Sequence, residues 1–163
     1  MNSVNKIRVG ISDYKWGTRP DQLVTIGLGS CVGIALYDED CGIGGLSHIM
    51  LPDSRAFSRD IKVAKFADLA IPALVEELTG AGARIRRLKA KIAGGASMFT
   101  YSDKSLNMNI GERNVEAVQQ VLRDLGIPVL SAHTGGNTGR TMTLYLDTMN
   151  VGIRMASQPE FTL

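Results

Sequence analysis

The sequence predicts an α+β fold: a layered sandwich of mixed or antiparallel β-sheet with helices packed on one side. Two observations carry this. Strand-like apolar runs outnumber helical stripes, and they gather into an early and a late block of adjacent strands, which favours antiparallel pairing over strict strand–helix alternation. Only two segments space their apolar residues as a helix does. At 163 residues the chain fits one domain, 1–163, large enough to bury a core without disulfide staples.

In chain order, Lys6 to Ile11 alternates as a half-buried strand would, and SDYKWGTRPD collects turn residues and a proline, so a loop is expected there with Trp16 capping the core. Gln22 to Leu28, Val32 to Asp38 and Gly42 to Leu51 read as strands, rich in Val, Ile and Leu and punctuated by glycines or acidic turns. From Arg59 to Gly80, Val63, Ala67, Ala70, Leu74 and Leu78 form a helical stripe ended by Gly80 and Gly82, with a kink or interruption expected near Pro72. Leu88 to Ala93 is the next strand. A second helix is expected from about Glu112 to Leu125, with Val115, Val118, Leu122 and Leu125 as its core face and Gly126 as its stop. Strands then return at Pro128 to Ala132, Arg140 to Asp147 and Val151 to Ala156.

Composition narrows the function classes. Eighteen Lys and Arg are offset by sixteen acids, so the net charge of +2 makes no case for nucleic acid. The basic cluster Arg84, Arg86, Arg87, Lys89 and Lys91 alternates with apolar residues and reads as a solvated face. The longest uncharged run, Gln22 to Tyr37, is too short and too broken by glycine to span a bilayer core of about 30 Å, so no membrane insertion is expected. The start, MNSVNKIRVG, lacks a signal-peptide pattern. A cytoplasmic location is expected, where Cys31 and Cys41 would be free thiols.

The chemistry concentrates between Thr25 and Pro52, TIGLGSCVGIALYDEDCGIGGLSHIMLP. Cys31 sits among Gly29, Ser30 and Gly33, small residues that leave room for a substrate carbonyl, and His48 lies in the next strand-like run, where pairing could bring it beside the thiol. From the residues alone Cys31 is balanced between a small buried hydrophobe and a nucleophile, and His48 between a core histidine and its base. His133, in SAHTGGN, could compete as base, but its turn-rich surroundings favour a structural role. Zinc is not expected, because the two cysteines and two distant histidines lack short paired spacings. The Gly94-Gly95 and Gly135–Gly139 segments match no phosphate-loop pattern and read as tight turns.

Five segments, TIGLGSCVG from Thr25, GLSHIMLP from Gly45, KIAGGASMF from Lys91, NIGERN from Asn109 and GGNTGR from Gly135, together resemble the CheD family of bacterial chemoreceptor glutamine deamidases. The resemblance spans nearly the whole chain. It implies Cys31 as nucleophile, His48 as base and acid and Thr25 as third member of a triad, no cofactor, and a fold similar to cysteine-hydrolase deamidase toxin catalytic domains. It also implies two partners, the chemoreceptors and the CheC phosphatase, the latter linking the chain to phosphorylated CheY. Backbone N–H groups near the thiol, at Ser30 and Val32, are candidates for the oxyanion site. Met98 and Phe99 are candidates for the partner surface, with a core position as the alternative. Threonine brings no negative charge to stabilise an imidazolium, so a modest pKa shift and slow turnover are expected. Two other uses of the same features stay open: a receptor- or CheC-binding module without chemistry, and acyl chemistry with another leaving group or acceptor, such as receptor methyl-ester hydrolysis.

Overall fold

The computed structural model describes residues 3–98 and 109–163. In chain order these form β1 (Lys6–Arg8), β2 (Asp13–Thr18), β3 (Gln22–Leu28), β4 (Val32–Asp38), β5 (Ile43–Ile49), α1 (Ala67–Gly80), β6 (Lys89–Gly94), α2 (Ile110–Asp124), β7 (Val129–Thr134), β8 (Arg140–Tyr145), β9 (Asn150–Met155) and β10 (Phe161–Thr162). The class is α+β, as the sequence predicts. The strands make two sheets: β1-β3-β8-β9-β10, and β2-β5-β4-β6-β7. Each mixes antiparallel pairs with one parallel pair, β1 with β3 in the first and β6 with β7 in the second.

Period-two alternation builds the layers. Val32, Ile34 and Leu36 of β4 join Ile43 and Ile49 of β5 in a core shared with Ala70, Ile71, Leu74 and Leu78 of α1 and Val118 and Leu122 of α2. Ala35, Tyr37 and Leu46 point the other way, into a second core with Leu23, Met142, Leu144 and Ile153 of the first sheet. Both helices therefore cover one face of the second sheet, and the first sheet covers the other. Strands β4 and β5 are buried along their whole length, which is why they read as continuous apolar or small-residue runs.

Three expectations change. Residues 13–18 are a strand, not a loop: β2 pairs with Ile43 to His48 of β5 as an edge strand, and an edge strand's solvated side admits the charged residues that suggested a turn. Trp16 consequently lies 37% exposed on that edge and does not cap the core. The first helix begins at Ala67, because Phe66 is extended, bridges Leu51 and packs with its ring tilted against Phe57 at 5.3 Å between ring centroids. A short 3-10 turn, Val63–Lys65, stands immediately before it, and the helix continues through Pro72 to Gly80. The core face of α2 is made by Gly111, Asn114, Val118 and Leu122, with Val115 and Leu125 partly buried beside it.

Candidate active site

Thr25, Cys31 and His48 come from three different chain segments; backbone geometry joins Thr25 to His48 and sets Cys31 against the same core. In β3 the register against β8 shifts between Thr25 and Leu28, with Gly27 at φ +81°. A bulge of this kind inserts one residue and re-aims the side chains on either side of it. Both Thr25 and Leu28 are then fully buried. Across the sandwich, His48 pairs with Gly33 of β4 and is also fully buried. Cys31 lies two residues before Gly33, at the entry to β4, and packs against the same inter-sheet core. The register therefore puts Cys31 and His48 on one face of the second sheet, diagonally offset by two residues.

The hydrogen bonds of Thr25 fix the histidine's protonation. Its hydroxyl lies 2.7 Å from the Val9 carbonyl oxygen and 2.7 Å from His48 Nδ1. A carbonyl can only accept, so the single hydroxyl proton goes to Val9 and the threonine oxygen accepts from Nδ1–H. His48 is thus the Nδ1–H tautomer, and Nε2 carries the lone pair. Among the described residues Nε2 has no hydrogen-bond partner, the Cys31 thiol included.

Burial governs both titrations. The His48 pKa falls from 6.5 to about 4, not the modest shift expected, since desolvation disfavours the imidazolium. Desolvation likewise raises the Cys31 pKa, opposed by a smaller effect of its own backbone N–H. The resting pair is accordingly thiol and neutral imidazole, not thiolate and imidazolium. The histidine shift also has a stability consequence. Between pH 6.5 and 4 the unfolded chain binds a proton that the folded one refuses, so stability falls as pH drops through that window. Lowering the pH from 7 to 4.5 is expected to cost about 2 kcal/mol through this residue, a loss absent in a His48→Gln variant when the two are compared by urea unfolding.

The loop carrying Cys31 is tied down carbonyl by carbonyl. Ala96 N–H donates to Gly29 O at 2.8 Å, Asn114 Nδ2 to Ser30 O at 2.9 Å and Gly95 N–H to Cys31 O at 2.8 Å. The close approach of the β6 end requires glycine: Gly94 has φ +113°, and a Cβ there would collide with the Cys31 carbonyl. The Gly95-to-Cys31 bond makes Val32 and Gly94 a non-hydrogen-bonded pair, so ladder alternation turns the Val32 N–H towards Ile49 of β5. That N–H is spent within the sheet and is not available to an oxyanion, which leaves Ser30 of the two backbone candidates.

The remaining predicted residues separate. His133 accepts from Arg140 Nε at 2.9 Å and meets the Phe161 ring edge-on at 4.9 Å. Arg140 also donates to the Gly94 and Gly135 carbonyls, so this pair braces the turns behind the thiol loop. Cys41 is exposed in the turn between β4 and β5. Met98 is 55% exposed and lies over Gly29 at the thiol loop, which rules out a core position for it. Phe99 lies outside the described residues. Two cavities of about 510 and 500 Å³ are lined by neither Cys31 nor His48. Asn114 is fully buried, and sequence reasoning gave it no role; its signal was a polar residue on the apolar stripe of α2. Its Oδ1 has no partner among the described residues, an omission that costs about 1–3 kcal/mol in a buried site.

Comparison with known proteins places this geometry in context. A family model described as CheD chemotactic sensory transduction matches residues 50–155. The chain is 52% identical over 159 residues to a protein of Clostridium acetobutylicum named as a probable chemoreceptor glutamine deamidase CheD, covering 93% of this chain and 96% of that one. It is 56% identical over 151 residues to a protein of the same name from Clostridium botulinum strain Hall, covering 93% of each. Among solved structures, a hypothetical protein of Bacillus licheniformis, YfiH, shares the fold with a TM-score of 0.51 at 16% identity, over 77% of this chain and 51% of that one.

Proposed function

This chain belongs to the CheD family, and we propose that it is a protein-glutamine deamidase that hydrolyses glutamine side chains of chemoreceptors to glutamate through Cys31. The observation that carries the reading is the buried chain from the Val9 carbonyl through Thr25 to His48, which leaves an Nε2 lone pair without a partner among the described residues on the face where Cys31 packs. The naming of close relatives as deamidases supports the substrate.

In the proposed reaction His48 Nε2 takes the thiol proton as sulfur attacks the side-chain amide carbon. The N–H groups of Ser30 and Cys31 receive the oxyanion, their loop held rigid by its three bonded carbonyls. The new Nε2–H protonates the departing nitrogen, ammonia leaves, and a thioester remains. Water then gives a proton to Nε2 and attacks the thioester carbon. The thiolate is expelled and takes that proton back, leaving glutamate on the receptor. Because burial holds imidazolium unfavourable and the third member carries no charge, both proton transfers are concerted with bond making, and turnover is slow.

The whole chain, 1–163, acts as one catalytic domain in the cytoplasm. The exposed Met98 beside the thiol loop supports a shared surface for receptor helices and for CheC, which would couple the activity to phosphorylated CheY. A receptor side chain reaching the thiol from the surface needs no deep cavity.

Thr25→Val removes the hydroxyl that fixes the tautomer and is expected to lower kcat by about 10- to 100-fold, whereas Thr25→Ser retains most activity; steady-state ammonia release measures both. The function itself is tested by mass spectrometry of receptor incubated with the protein. Each modified glutamine gains about one dalton, whereas hydrolysis of a methyl ester removes a methylene and a pure binding module changes nothing. An unchanged receptor mass after prolonged incubation would overturn the proposal.

A further inference from the structure

We propose that Asn114 is a positioning residue for the thiol reaction, holding the Cys31 loop and the His48 strand at a fixed separation. The inference rests on the reading of Cys31 and His48 as nucleophile and base. The last rung between β4 and β5 is Val32 with Ile49. Beyond it the two chains part: the Met50 N–H donates to Lys65 O, and Cys31 O is taken by Gly95. The parting exposes two main-chain carbonyls, Ser30 O next to the nucleophile and Met50 O two residues past the base. Asn114 Nδ2 donates to both, each at 2.9 Å.

Two carbonyl acceptors admit only the NH₂ end of the amide, so its orientation is unambiguous. The amide replaces a missing rung with a side chain anchored on α2. Ties to Gly29 and Cys31 come from main-chain N–H groups and link the loop only to the end of β6. The Asn114 bridge also reaches the strand that bears His48. Its orphan Oδ1 offsets much of what the two donated bonds contribute to stability, so what the residue chiefly supplies is geometry.

The test compares Asn114→Leu, close in size and without donors or orphan oxygen, with wild type and with His48→Gln, singly and combined. Each protein is confirmed folded by circular dichroism. Ammonia release from receptor by Asn114→Leu is expected to fall 10- to 100-fold in kcat with KM within about threefold, since the residue contacts no substrate. His48→Gln is expected to slow wild type about 10³- to 10⁴-fold but the Asn114→Leu background 10- to 100-fold less than that, so that Asn114→Leu adds little once the base is removed. A purely structural residue would not produce that loss of coupling. Wild-type kcat in Asn114→Leu, or an equal cost of His48→Gln in both backgrounds, overturns the proposal. If the leucine variant does not fold, Asn114→Asp replaces it in the same cycle; failure of both to fold makes Asn114 a folding residue and equally overturns it. Activity surviving in Cys31→Ala would instead sink the reading of the site, whatever Asn114 does.

Discussion

Cys31→Ala is expected to abolish ammonia release from purified receptor, with a fall in kcat of at least about a thousandfold. The size follows from the kind of contribution removed. The other candidates are placed elsewhere: Cys41 is in an exposed turn between β4 and β5, and His133 is engaged by Arg140 and Phe161. What would remain is the proposed oxyanion site and base, able to assist attack by water only weakly. The variant should keep its fold, since Cys31 is partly exposed and the bonds that hold its loop involve main-chain carbonyls. Receptor binding, measured by co-sedimentation, should be retained. Full activity in this variant would assign the chemistry elsewhere.

The second large effect is in the pH dependence. With His48 at about 4, the free protein holds a neutral base throughout the physiological range. The acid limb of kcat/KM is expected near pH 4, not near the ordinary histidine value of about 6.5. The sign follows from desolvation: burial penalises the protonated ring, so more acid is needed to disable it. Because stability also declines in this window, the profile is best recorded by rapid pH jump from neutral solution. His48→Gln is expected to lose about 10³- to 10⁴-fold in kcat/KM and to show no limb at pH 4. A limb at pH 6.5 or above in wild type would mean that the ring is solvated or paired with an acid in the free protein. Alkylation of Cys31 by iodoacetamide should correspondingly be slow at pH 7 and rise only above the usual thiol range, since its pKa is raised.

Much of this was legible in the sequence where local pattern and tertiary environment agree. Strands β3 and β4 fall on the predicted residues because a buried strand reads as an apolar run closed by turn residues. The small residues flanking Cys31 and the histidine in the next strand announced the pair. The resemblance added Thr25, which no spacing rule would have chosen, since its approach to His48 depends on a bulge and on two sheets facing each other. The layering into two sheets was hidden for the same reason: alternation shows that a strand has two faces but not which sheet covers each. Edge strand β2 was read as a loop because its polar residues face water, and the first turns assigned to α1 were lost to the bridge between Phe66 and Leu51. The Val9 carbonyl and the Asn114 amide were invisible because both act through main-chain oxygens of residues distant in sequence.

The buried Val9–Thr25–His48 chain has a chemical meaning only if Cys31 carries the acyl group. Trapping that group is the most direct measurement: receptor is mixed with the protein in the presence of hydroxylamine, quenched in acid and analysed by mass spectrometry. A thioester on Cys31 predicts glutamyl hydroxamates at the same receptor positions that otherwise become glutamate, together with a receptor-derived acyl adduct on the Cys31 peptide. Glutamate formation at an undiminished rate, with neither hydroxamate nor adduct, would contradict the account, because water would then attack the amide directly.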